Sequence, residues 1–223
     1  MHPPMPIERP NSLSKIAEDH IRECIIRGRF RMGESILEVK LSDSLGISKT
    51  PIREALSALN LQGLVQIIPH RGAFVFSLSK QEIVELCQYR LLLETAALDQ
   101  SFAKYSTTLV TELENILIKM TTARNVGAFE DYLDLDTDFH DAFFNHCGNF
   151  YLCEGYNKVS DIIKTMRTYL SKSKDRITKS FEEHQAITEL LKDGKLKSAK
   201  TLLKKQITRA DRAYADLLSS VKI

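Results

Sequence analysis

The sequence predicts a mainly α protein in two parts: an N-terminal winged helix-turn-helix (three helices plus a β-hairpin), then an all-α bundle of six or seven helices. Three observations predict it. All six prolines of the 223 residues lie at or before Pro69, so the remainder can run as long helices. Only Gly127, Gly148, Gly155 and Gly194 interrupt that stretch. Before residue 77 the apolar residues change period, from helical spacing to two short runs around Pro69-His70-Arg71-Gly72.

Taken in order, residues 1–12 read as a disordered tail and residues 13–77 as the first domain. Leu13, Ile16, Ala17, Ile21, Cys24 and Ile25 recur at helical spacing behind Asn11 or Ser12, either of which can cap. Gly28 and Gly33 bracket a loop. A short helix carries Leu37, Leu41 and Leu45 and stops at Gly46. After Ile47 and Ser48 a third helix opens with Thr50-Pro51, whose fixed φ suits a first turn. Its buried stripe is Ile52, Leu56 and Leu59. The runs Leu64–Ile68 and Ala73–Phe76 then form the hairpin.

That order of elements points to DNA. Lys49 and Arg53 are four apart and share a face opposite Ile52 and Leu56. Ser48, Lys49 and Thr50 sit at the helix N-terminus, the end of a recognition helix that meets bases and phosphates. An arginine there can grip guanine with two hydrogen bonds. His70 and Arg71 at the hairpin tip can enter the minor groove, with Gly72 permitting close backbone approach.

The run Gly46-Ile47-Ser48-Lys49-Thr50-Pro51-Ile52-Arg53-Glu54-Ala55-Leu56, with Gly63-Leu64-Val65 and Arg71-Gly72-Ala73-Phe74-Val75, resembles the GntR family of bacterial transcription regulators. The resemblance implies a homodimer that binds a short, roughly palindromic operator. Two positions depart from the family pattern. Lys49 stands where arginine is usual, which exchanges a two-pronged contact for a point charge. Val39 stands where the second helix commonly carries a basic residue.

Composition excludes other classes. The chain is 43% hydrophobic and 27% charged, an ordinary globular balance, with no apolar run near the 18 or so residues of a membrane span. The segment Met1-His2-Pro3-Pro4-Met5-Pro6 lacks the basic and apolar parts of a secretory signal. Cys24, Cys87, Cys147 and Cys153 show no paired spacing. These features predict a cytoplasmic protein with reduced thiols and no membrane partner. Charge is polarised: residues 77–156 hold 5 Lys+Arg against 13 Asp+Glu, and residues 157–223 hold 16 against 8. Complementary packing faces account for that split.

Residues 78–223 form the second domain. Ser79 with Glu82 makes a capping box and opens a helix to about Ala103. Further helices span about 107–124, 127–147 and 149–171, the last with a break near Gly155. Ser180 with Glu183 reads as a second capping box, opening a helix that ends at Asp193-Gly194. A final helix runs to about Leu218. Polar residues fall on stripes that should face the core. These are Arg90 beside Ile83, Leu86 and Ala97; Asp136 and His140 among Leu133, Phe143 and Cys147; His184 among Phe181, Ile187 and Leu191; and Gln206 among Leu202, Leu203, Ala210 and Ala213.

A buried carboxylate needs a partner. Asp136 and His140 are neighbours on one face, and His184 and Gln206 are nearly level across a hairpin turning at Gly194. The four can converge on zinc, nickel or manganese, or satisfy one another as core hydrogen bonds. Arg90 suits capture of a carboxylate or an internal salt bridge to Glu94 or Asp136. Arg167, at the edge of its stripe, is a further candidate.

Asp136-Thr137-Asp138-Phe139-His140, Gly148-Asn149 and Glu183-His184 resemble the FadR-like subgroup with its all-helical FCD domain. The resemblance implies a divalent metal on Asp136, His140 and His184, with Gln206 in place of a third histidine. It also implies a small carboxylate effector on that metal and on Arg90. The expectation is a transcription regulator, repressing by default until effector binds. A metal-responsive regulator and a metalloenzyme fused to a DNA-binding domain are the alternatives.

Overall fold

A computed structural model describes residues 12–170 and 174–220, with side chains described through Arg209 except at Lys174. Residues 1–11 of the expected tail and the side chains of Ala210 and Ala213 lie outside this set, whereas Ser12, the tail's expected last residue, lies within it. The chain divides into two compact units, the first ending at Ser77 and the second beginning at Leu78.

In the first unit α1 (Leu13–Ile26) is capped by Ser12, whose side chain accepts from the Lys15 amide. Ala17, Ile21, Cys24 and Ile25 are buried against α3 (Lys49–Leu61), whereas Leu13 and Ile16 are more than half exposed. Below them Glu18 accepts from Arg22 at 2.5 Å and from Gln62, just past α3, at 3.0 Å. The short α2 (Glu38–Leu45) ends on Gly46, whose φ of 64° an L side chain would resist. The Ser42 hydroxyl donates to the Ile47 carbonyl at 2.6 Å and tightens the turn into α3. Leu37 sits at the start of α2 and is exposed, not part of its buried stripe. Ile52, Ala55, Leu56 and Leu59 bury the inner face of α3. Each of the three larger side chains contributes about 1.5–3 kcal/mol by leaving water.

The hairpin pairs β2 (Val65–Ile68) with β3 (Gly72–Val75) in antiparallel register, Gln66 opposite Phe74. The loop after Gly33 also contains a two-residue strand, β1 (Ser35–Ile36), paired to the other edge of β3. The sheet order is therefore β1-β3-β2. Two residues are too few to show a period of two, so this strand is silent in the sequence.

In the second unit the capping box of Ser79 and Glu82 opens α4, which runs from Lys80 to Val126. Tyr105 (φ −139°, ψ 38°) breaks the helical path, so the two expected helices meet there without a loop. The inward stripe of the first segment is Ile83, Cys87, Arg90, Glu94 and Ala97, with Cys87 in the place expected of Leu86. Next come α5 (Phe129–Asn145), α6 (Phe150–Leu170), α7 (Lys174–Lys192) and α8 (Leu196–Ser220). The α6 helix passes through Gly155 unbroken. A Cβ there would lie 3.1 Å from the Tyr89 hydroxyl, which donates to the Gly155 carbonyl. Glycine serves close approach, not a break.

The second expected capping box is corrected. α7 already runs from Lys174, and Ser180 lies inside it. The Ser180 hydroxyl donates to Asp136 Oδ1 at 3.1 Å, and Glu183 pairs with Arg209 of α8. Partners on neighbouring helices replace the local ones that a cap would use.

Candidate functional site

Two sets of polar residues remain once the cores are accounted for, one in each unit. In the first, Ser48 is extended and precedes α3 without capping it, and Ser48, Lys49 and Thr50 are all exposed. One turn on, Arg53 is 65% exposed and its Nε donates to Glu38 at 2.7 Å. At the hairpin tip a turn is closed by the Arg71 amide on the Ile68 carbonyl at 3.0 Å. Within that turn His70 takes φ 62°, followed by Gly72 at φ 97°. The Arg71 guanidinium lies 5.5 Å from the centre of the Phe74 ring, which holds it over the sheet without neutralising it.

In the second unit α4, α5, α6, α7 and α8 surround a cavity of about 70 Å³. Arg90, Asp136, His140, Arg167 and Gln206 line it, joined by Leu170, Arg176, Ser180 and Arg209. A wider groove of about 700 Å³ runs along Thr107–Lys119 and α5. Its walls carry Glu112, Asp138 and Asp141, so it repels anions; the concentration of guanidinium groups is in the smaller cavity.

Glu94, fully buried on α4, holds two of the residues that line the cavity. It accepts from Arg90 Nε at 2.5 Å and from His140 Nδ1 at 2.8 Å. Burial alone would raise its carboxyl, but the Arg90 guanidinium holds it well below the usual carboxylate range. With Nδ1–H directed at Glu94, Nε2 of His140 is an acceptor. It faces His184 Nε2 at 3.4 Å, which is therefore the donor. Burial drives both imidazoles toward the neutral form, His184 down to about 3. Phe139 stacks on His184 with ring centres 4.1 Å apart.

Asp136, His140 and His184 are thus brought together, with Gln206 on the same cavity, as their spacing predicts. As placed, they do not fit a divalent ion. Nε2 of His140, the atom a metal would take, already has Arg90 Nη2 at 3.3 Å, and a guanidinium there repels a cation. Asp136 Oδ1 is 3.8 Å from His184 Nε2. Among the described residues no three His, Cys, Asp or Glu side chains converge to hold a metal.

The unmet hydrogen-bonding capacity lies elsewhere. Arg167 is 8% exposed. Its Nε is 3.6 Å from Asp136 Oδ2 and its Nη2 3.7 Å from Glu94 Oε1. These are ion-pair distances, and neither Nη1 nor Nη2 has a hydrogen-bond acceptor among the described residues. Gln206 Oε1 is likewise buried without a donor. Arg90 engages Glu94, and Arg209 engages Glu183. Sequence reasoning placed Arg90 and Arg167 here and offered Glu94 as an ion-pair partner of Arg90, as observed, but missed the bond from His140 to Glu94 and Arg176, Ser180 and Arg209 as walls. Only the three-residue step from Gln206 to Arg209 hints at them.

Comparison with known proteins agrees with this division. Residues 13–75 match the family described as bacterial regulatory proteins, gntR family. Residues 85–209, more than half of the chain, match the FCD domain. The Nta operon transcriptional regulator of Aminobacter aminovorans is 30% identical over 166 residues, covering 74% of this chain and 77% of that one. The gluconate operon transcriptional repressor of Bacillus licheniformis is 26% identical, covering 77% and 72%. Among solved structures, a GntR-type regulator of Rhodococcus sp. RHA1 shares the fold, with a TM-score of 0.77 at 22% identity over 95% of this chain and 100% of that one. No described helix is long and apolar enough to cross a membrane. The chain belongs to the GntR family of DNA-binding transcription regulators, of the type that carries an FCD domain, and is not an enzyme.

Proposed function

We propose that the second unit binds a small organic anion directly on its guanidinium groups, and that occupancy sets the operator affinity of the first. One observation carries this reading: Arg167 is buried in a cavity with both Nη groups lacking an acceptor among the described residues. An incompletely paired buried cation is costly, and a carboxylate that accepts from both nitrogens relieves that cost. Arg90, held by Glu94, adds positive potential, as do Arg176 and Arg209 at the walls.

The DNA contacts in this reading are Ser48, Lys49, Thr50 and Arg53 on α3, with His70, Arg71 and Gly72 at the hairpin tip. Exposure of these residues and the left-handed turn at His70 support it. The chain acts as a homodimer, since paired helix-turn-helix units read the two halves of an operator. Exposed Leu92, Phe150 and Tyr151 on the second unit supply apolar surface for that pairing. Effector relieves repression. A 100-fold change in operator affinity requires only about 2.7 kcal/mol of differential binding.

The test is fluorescence anisotropy of a labelled operator fragment, titrated with protein in the presence of a panel of short carboxylates. At least one acid shifts the curve, and Arg167→Met removes the shift while leaving effector-free binding unchanged. A shift that survives in Arg167→Met overturns the reading. The rival, a metal that anchors the effector or is itself the signal, draws on the 3.4 Å approach of the two imidazoles. A metal-to-protein ratio near one, in protein purified without chelator, would restore it.

A further inference from the structure

The four cysteines show no paired spacing along the chain, yet the fold brings two of them into contact. Cys147 follows the C-terminal end of α5, and Cys153 lies at the first turn of α6. Between them Gly148 takes φ 62°. Asn149 then caps α6, its side-chain oxygen accepting from the Leu152 amide and its carbonyl from the Cys153 amide, both at 3.2 Å. That turn sets Cys147 Sγ 3.7 Å from Cys153 Sγ. A disulfide holds its sulfurs about 2.05 Å apart, so an approach of about 1.7 Å, the scale of a side-chain rotation, closes the bond. Little is forfeited by it. Cys147 Sγ donates to the Asn149 carbonyl at 3.8 Å and Cys153 Sγ to the Phe144 carbonyl at 3.6 Å, and thiols are weak donors.

The pair is asymmetric: Cys147 is fully buried, whereas Cys153 is partly exposed. The exposed thiol meets an oxidant first, and the buried one beside it resolves the product. We propose that Cys153 and Cys147 form a peroxide-responsive disulfide that links the end of α5 to the start of α6. First the Cys153 thiolate attacks one oxygen of hydrogen peroxide. An S–O bond forms, the O–O bond breaks, and the leaving hydroxide takes a proton and departs as water. Then Cys147 gives up its proton and its sulfur attacks that sulfenic acid. The S–S bond forms, the S–O bond breaks, and the proton leaves with the hydroxide as a second water. Two thiols lose two electrons, and one peroxide gains them. A dithiol reductant reverses the change by exchange. Burial and the adjacent Cys147 thiol push the Cys153 thiol up, so thiolate is scarce and the pair answers to sustained oxidant, not to traces. Because α5 carries Asp136 and His140 and α6 carries Arg167, the bond ties together two helices that line the cavity, whatever ligand it takes.

The test is peptide mass spectrometry with thiol counting on the full-length protein, reduced, desalted and treated with hydrogen peroxide. Lys and Arg are absent between residues 125 and 157, so trypsin leaves both cysteines on one fragment, residues 125–158. That fragment is expected to lose about 2 Da, the two hydrogens of a disulfide. Titratable thiols fall from the four of the sequence to half that number, and dithiothreitol restores them all. Cys147→Ser stops at a sulfenic acid on Cys153 that dimedone traps, and Cys153→Ser leaves Cys147 reduced under the same treatment. Equal loss of thiol at Cys147 in wild type and Cys153→Ser overturns Cys153 as the attacked sulfur. Survival of every thiol in wild-type protein, under peroxide that fully oxidises free cysteine, overturns the proposal. So does a fragment that gains oxygen without losing hydrogen, or a disulfide that joins two chains on a non-reducing gel. Those outcomes are read on the wild type, so they stand even where a variant fails to fold.

Discussion

Glu94 Oε2 lies 2.8 Å from His140 Nδ1, while the other oxygen of the same carboxylate takes Arg90 Nε at 2.5 Å. One buried anion therefore fixes both the tautomer of a histidine on α5 and the direction of a guanidinium on its own helix. Removing its charge leaves Arg90 and His140 without their shared acceptor. Glu94→Gln is expected to destabilise the second unit by about 3–5 kcal/mol, the cost of breaking a buried ion pair, measured by urea unfolding.

The same residue gives stability a pH dependence. The Glu94 carboxyl is depressed in the folded protein by Arg90, so its contribution is fully present above the unfolded value of about 4.3. It is lost as pH falls below that value. The stability gap between wild type and Glu94→Gln should therefore be constant near neutrality and shrink as pH drops from 5 toward 3. A gap that widens on acidification would mean that Glu94 is not held ionised.

In the first unit Arg53 is exposed but not idle, since Glu38 accepts from its Nε. That bond uses Nε, and the side chain remains 65% exposed. Arg53→Ala should weaken operator binding at least tenfold with unchanged helical circular dichroism, consistent with about 1–3 kcal/mol for a two-pronged base contact. Lys49→Ala should instead weaken binding to all sequences alike and lower the salt slope by about one. Unchanged affinity in either variant removes that residue from the interface.

His70 occupies a backbone region that costs an L residue about 1–2 kcal/mol, with φ 62° at the hairpin tip. Glycine adopts it freely but loses more entropy on folding. His70→Gly is expected to leave stability level or raise it by up to about 1 kcal/mol, while weakening operator binding. Thermal unfolding and anisotropy on the same sample check the two effects separately. Lower stability with full operator affinity would show that the side chain serves the turn and not DNA.

Much of this was legible in the sequence because the relevant signals are local. Gly46, Pro51 and the stripe Ile52, Leu56, Leu59 specify a turn and a helix within a dozen residues. The Ser79 and Glu82 cap is likewise self-contained. Two pairings were also readable, Asp136 with His140 on one helix face and His184 level with Gln206 across the turn at Gly194, but spacing does not say that α5 and α7 face each other. What spacing could not convey is which partner each side chain takes. Ser180 and Glu183 form a capping pattern on paper, but Asp136 and Arg209 lie within reach in space and take them instead. Arg90 is four residues from Glu94 and, across the helices, 3.3 Å from His140 Nε2. That second distance puts a guanidinium at the nitrogen a metal would take, and no one-dimensional pattern contains it.

Gln206 separates the anion site from a metal centre most sharply. A neutral amide oxygen is a poor ligand for zinc or nickel, whereas imidazole is a good one. Gln206→His places a fourth nitrogen or oxygen donor on a cavity already lined by Asp136 and His140, with His184 Nε2 3.4 Å from His140 Nε2. The variant should bind zinc or nickel at least tenfold more tightly than the wild type in calorimetry at pH 7. The gain should fall on acidification, because protons compete for the imidazoles. If zinc affinity does not change, the position 206 side chain does not reach His140 and His184, and its place in the ligand cavity would have to be withdrawn as well.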